Sequence, residues 1–140
     1  MTIKNSIVSF FDFTTRIEIF YNGQKNIFLK SDKEFDLILN SLKTITKNSH
    51  DMPAFGVAIH NEVLRALKYG YWIELVFNNK NTFNNMPFES LLIEVNSEHT
   101  GFNLFRKVNG KYDGRCFYLT LNCNMKPLHD TLSFFVLPTI

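Results

Sequence analysis

Two glutamates, Glu74 and Glu94, are each the lone charge in an otherwise apolar run, Tyr71 to Phe77 and Ser90 to Asn96. If Ile73, Leu75 and Phe77 pair antiparallel with Val95, Ile93 and Leu91, Glu74 falls directly opposite Glu94. Like charges facing across a ladder are destabilising unless a cation, a shared proton or a nearby basic side chain compensates. Two carboxylates whose pKa values are driven apart are also how acid/base chemistry is arranged. Charges on the wet face of a half-solvated sheet give the same pattern without any chemistry.

Cys116 is the candidate nucleophile. It follows Asp113-Gly114-Arg115, so Arg115 would lower its pKa, with His99 or His129 as base. Against this stands the tendency of cysteine to be simply buried. A third constellation is aromatic. Phe105 and Tyr118 in one hairpin, and Phe20 and Phe28 in another, are expected on the outer face, where an apolar patch would form a ligand or partner surface.

Other chemistries fail on spacing. Gly110-Lys111 resembles the end of a phosphate-binding loop, but that loop needs Gly at 105 and Ser or Thr at 112, where Phe105 and Tyr112 stand. His50, His60, His99 and His129 lack ligand spacing, and no C-x-x-C or H-E-x-x-H occurs, so no metal site is expected. No cofactor is evident. The net charge is +2, and the 15 basic residues are scattered, which argues against nucleic acid as partner. Stacking of single strands on aromatics would also need a basic groove.

The elements that must position these residues are readable in outline. Ile7 to Phe13 reads as a strand rich in Phe. Thr15 to Tyr21 and Asn26 to Lys30 read as a hairpin about Asn22-Gly23. A three-residue loop, Tyr21 to Gly23, puts Ile27 and Leu29 on the face of Ile17 and Ile19. A two-residue turn would instead set Ile27 opposite Glu18 and Leu29 opposite Arg16. The first keeps one face apolar and is preferred. Ser31 and Glu34 form a capping-box pattern before an amphipathic helix over 32–46, with Phe35, Ile38, Leu42 and Ile45 as its stripe. A second helix over about 59–69 carries Ile59, Val63 and Leu67 and ends at Gly70. Asn78 to Glu89 reads as a long loop between strands, of the kind that is either functional or mobile. Phe102 to Val108 and Arg115 to Leu121 form a further pair, with Arg106 and Asp113 as a rim ion pair. Thr131 to Leu137, apolar on both faces, reads as an inner strand.

The order β-β-β-α-α-β-β-β-β-β, with segregated helices, predicts an α+β fold. The expected architecture is a single domain over 1–140, with one mostly antiparallel sheet of six or seven strands and two helices on one face. No leader, membrane span or glycosylation acceptor is read, and Cys116 and Cys123 make no disulfide framework, so a reducing cytoplasm is the expected compartment. The aromatic content, 15 Phe, 5 Tyr and 1 Trp, fits a Phe-rich core or an aromatic cavity. Without a catalytic constellation, the expected function is a non-catalytic binding or interaction module for a protein or small molecule. The alternative is a small enzyme using Glu74 and Glu94 in an aromatic pocket. An unpaired edge strand would let two copies form a dimer.

Overall fold

A computed structural model describes residues 6–53 and 56–135. The fold is α+β. Seven antiparallel strands make one sheet: β1 (Thr14–Tyr21), β2 (Gln24–Leu29), β3 (His50–Met52), β5 (Tyr71–Phe83), β6 (Met86–Glu94), β7 (Gly101–Lys107) and β9 (Phe117–Thr120), in the spatial order β2-β1-β5-β6-β7-β9-β3. Two short strands, β4 (Val57–Ala58) and β8 (Gly114–Arg115), pair separately. Among the described residues the edge strands are β2 and β3.

One sheet face is covered by α1 (Lys33–Ile45), α3 (Lys126–Ser133) and a 3-10 helix over Ile7–Phe13. Phe35, Ile38, Leu42 and Ile45 of α1 recur every three or four residues. Together with Leu128 and Leu132 of α3 they bury Ile17, Ile19, Ile73, Leu75, Leu91 and Ile93 of the central strands. The other face carries α2 (His60–Ala66). Its Val63, with Leu67 just beyond, packs on Phe20, Trp72 and Leu92. Each such side chain, once buried, contributes about 1.5–3 kcal/mol. Helices therefore lie on both faces, not on one. The residues Tyr71 to Leu75 are buried on both faces of the sheet, which gives α2 an apolar seat on the reverse side.

Several local expectations are corrected. Ile7 to Phe13 is not a strand. Ser6 accepts the Val8 N–H on its Oγ (3.2 Å), and Asp51 accepts the Ile7 N–H (2.8 Å), so the chain coils and buries Ile7 and Phe11 one turn apart. The capping box does not form. Asp32 is the N-cap of α1, and its carboxylate turns back to accept the Leu29 N–H at 2.8 Å. Thr131 to Ser133 lie in α3 rather than a strand, with Pro127 at its start, and residues 136–137 lie outside the described residues.

The first hairpin uses the two-residue turn. Asn22 (φ 48°) and Gly23 (φ 86°) are both left-handed, the mirror-image turn whose twist suits paired strands. Asn22 is also docked on the start of β5, giving its N–H to the Gly70 carbonyl (2.8 Å) and accepting the Gly70 N–H on its Oδ1 (3.1 Å). Ile27 thus faces Glu18 and Leu29 faces Arg16, each 51% exposed, while Phe28 turns to the α1 face against Phe135. Local turn energetics and docking outweigh the apolar alternation of an edge strand.

The Asn-rich stretch 78–89 is mostly ladder, not loop. β5 and β6 extend to a two-residue turn at Asn84-Asn85 (φ 51° and 63°). Between the pairs Val76–Ser90 and Asn81–Phe88, β5 bulges.

Candidate functional site

The reverse face holds two polar constellations. The first is buried. Glu74, 2% exposed, accepts hydrogen bonds from the Tyr112 hydroxyl (2.9 and 2.8 Å to its two oxygens) and from Ser90 Oγ (2.5 Å). Tyr112 reaches the sheet from the β7–β8 connection. Its N–H donates to His60 Nδ1 (3.0 Å), its ring stacks on the His60 ring (centroids 5.9 Å), and Lys107 Nζ lies 5.0 Å from its centre. Burial first, and then the Glu74 charge, push the Tyr112 phenol far above its ordinary range. It is a fixed donor, not a base.

The partner expected for Glu74 is wrong. Glu94 faces Trp72 across the β5–β6 ladder, and Glu74 faces Leu92, so the two acids are two residues out of register on the same face. The residue opposite Glu74 lies on the other neighbour, Glu18 of β1. Glu18 is also buried, 6% exposed, and is compensated by Arg16 Nε at 2.8 Å and Lys25 Nζ at 3.4 Å. Arg16, Glu18, Glu74, Glu89, Ser90 and Lys107 border a cavity of about 200 Å³. The like-charge cost across the ladder is thus met by donors and cations of the chain itself. The sequence did hold the signal: Glu18 is flanked by Ile17, Ile19 and Phe20, as Glu74 is by Ile73 and Leu75. It could not say which strand lay beside which.

The nucleophile reading of Cys116 loses its geometry. The thiol is buried in the α2-side core and burial pushes its pKa up, against a smaller opposing pull from the Arg106 guanidinium. Arg115 is exposed, and His129 packs on Tyr71, a residue of the opposite core. Arg106 makes no rim pair with Asp113. It donates to the carbonyls of Arg115 (2.6 Å) and Pro87 (2.7 Å), while Asp113 accepts the His60 N–H (2.8 Å).

The second constellation is open. β6, β7 and β9 present Glu94, Asn103, Phe105 and Tyr118 on the reverse face, with Phe105 packed at the margin of the α2 cluster. With Glu98 and His99 from the β6–β7 connection they line a cleft of about 470 Å³. Of the four aromatics expected on an outer face, Phe105 and Tyr118 come together here. Phe20 shares their face but is buried under α2, and Phe28 is on the other side of the sheet. Glu94 joins them, exposed, in a role the sequence did not suggest. Tyr118 can lie across the sheet because Gly101 has no side chain. A Cβ there would stand 2.7 Å from the Tyr118 hydroxyl and 2.8 Å from the Leu119 carbonyl oxygen. Phe105 is the wall shared with an apolar groove of about 390 Å³, formed with Val57, Ile59, Val63 and Trp72. The Phe105 ring meets Trp72 edge-on at 5.9 Å.

Among the described residues no group of three or more His, Cys, Asp or Glu side chains is arranged to hold a metal ion. No helix among them is long and apolar enough to cross a membrane. Compared with protein-family models, curated proteins and solved structures, the chain matches none.

Proposed function

We propose that the protein is a non-catalytic binding module, acting through the cleft on the part of the reverse face that α2 leaves uncovered. The observation that carries this reading is the convergence of Glu94, Asn103, Phe105 and Tyr118, from three adjacent strands, on one cavity of about 470 Å³. That volume is within the usual range for small-ligand sites, roughly 300–1,000 Å³. Side chains held on strands are also better fixed than side chains on loops. The partner is a small molecule or a segment of another protein.

The buried Glu74 network is read as structural. Its acceptors are filled by Tyr112 and Ser90, and it ties the β7–β8 connection to the middle of the sheet. A general base needs a free acceptor aimed at a substrate proton. The Glu74 oxygens are occupied instead, which favours binding over catalysis.

The test is a fragment screen by two-dimensional amide NMR on the intact chain, using a mixed set of cationic, anionic and neutral fragments. Saturable shifts should cluster at Glu94, His99, Asn103, Phe105 and Tyr118, and should be lost in Phe105→Ala. Shifts that scatter, or that centre on the opposite side of the molecule at the groove lined by Leu37, Ser41, Thr131 and Phe134 between α1 and α3, would refute the assignment.

A further inference from the structure

We infer that the cleft receives an organic cation, an ammonium or guanidinium group, a conclusion that rests on the cleft being the binding site. The polar groups lining it are dominated by acceptors. Glu94 and Glu98 supply two carboxylates, and no lysine or arginine is among the lining residues. Among the described residues neither carboxylate enters an ion pair, although Glu18, Glu62 and Asp130 all do. The chain as a whole carries +2, so this negative character is local rather than a property of the surface at large.

Two further observations point the same way. Two aromatic residues, Phe105 and Tyr118, line it. An aromatic face attracts a cation through its quadrupole, more strongly where water is thinned. Asn103 borders the cleft, and its Oδ1 is buried with no hydrogen-bond partner among the described residues. An orphaned acceptor calls for a donor. Carboxylates, ring faces and an unfilled carbonyl together select a donor-rich cation over an anion or a neutral apolar group. His99 and Tyr118 are the remaining titratable groups of the cleft, and His99 stands on its exposed border.

The experiment titrates the intact chain with butylguanidinium, with its neutral isostere butylurea, and with butyrate. Amide shifts of Asn103, Phe105 and Tyr118 give the affinities. The expected result is saturable binding of butylguanidinium at the cleft, at least tenfold tighter than butylurea, with no saturation by butyrate. Glu94→Gln should weaken it about tenfold, through loss of a charge-assisted bond. Phe105→Leu should weaken it about fivefold, through loss of a ring face. Both sites are at least partly exposed, so both variants should fold. Acetyl-arginine-amide carries the same head group on a peptide. Tighter binding than butylguanidinium assigns the cation to a protein side chain, and equal or weaker binding assigns it to a free molecule. Butylurea or butyrate binding at the same residues as tightly as butylguanidinium would overturn the cation while leaving the cleft in place. Absence of saturable shifts at the cleft with every probe would overturn the cleft as well.

Discussion

Replacing Tyr112 by Phe removes one oxygen and leaves the ring between His60 and Lys107. The lost hydroxyl bridges both oxygens of Glu74 at 2.9 and 2.8 Å, and its loss leaves Ser90 Oγ as the remaining donor to that buried carboxylate. A hydrogen bond to a charged group contributes about 1.5–3 kcal/mol net, and the desolvated acceptor left behind makes the upper half of that range appropriate. The expected loss at neutral pH is therefore about 2–3 kcal/mol. In a Glu74→Gln background the same change removes only a neutral bond, and its cost should fall to about 1 kcal/mol. Equilibrium urea unfolding followed by Trp72 fluorescence reads all four corners of the cycle. A cost below about 0.5 kcal/mol for Tyr112→Phe, or the same cost in both backgrounds, would refute the picture of Tyr112 as the donor that satisfies Glu74.

The Tyr112 phenol and the Cys116 thiol both have their pKa raised in the fold, chiefly by burial. Above a pH of about 9–10 the unfolded chain releases protons that the folded chain keeps, so stability is full below that range and falls as pH rises. Each group contributes a slope of up to about 1.4 kcal/mol per pH unit, and Tyr112→Phe should flatten the fall seen in a urea series above pH 10. Gly101→Ala would push a Cβ against the Leu119 carbonyl oxygen as well as the Tyr118 hydroxyl, and should cost about 1–3 kcal/mol in thermal or urea unfolding while displacing the Tyr118 ring from the cleft. Gly23→Ala forces a left-handed residue whose Cβ stands 3.3 Å from the Lys68 carbonyl oxygen, and should cost at least about 1 kcal/mol in the same assay. A thiol-reactive dye should label exposed Cys123 at once and Cys116 only as the chain unfolds, so two fast equivalents in the folded protein would contradict the burial of Cys116.

The α+β class, the antiparallel sheet, α1, and the pairing of the segments 102–108 and 115–121 were legible in the chain, because apolar periodicity and turn residues act locally, but the register of that pair, with Phe102 opposite Leu119, was not. So was the isolation of Glu74 as a charge in an apolar strand. A signal for α3 was present too, in Leu128 and Leu132 after Pro127, but the apolar run 131–137 drew the reading toward a strand. The sequence alone did not reveal strand neighbours. Glu74 has two flanking strands, and only the tertiary order β1-β5-β6 decides that its acidic partner is Glu18 of β1 and that Glu94 is freed for the cleft. The face taken by Phe28 was equally undetermined, since one residue of register reverses every side chain, and the docking of Asn22 on Gly70 fixed it. The cleft exists only in the folded molecule. Its walls come from segments separated along the chain, and it stays open because α2 is seven residues long and covers Phe20 and Trp72 but not Asn103 or Tyr118. Local spacing fixes which residues can share a face, whereas long-range packing decides which of those faces is covered.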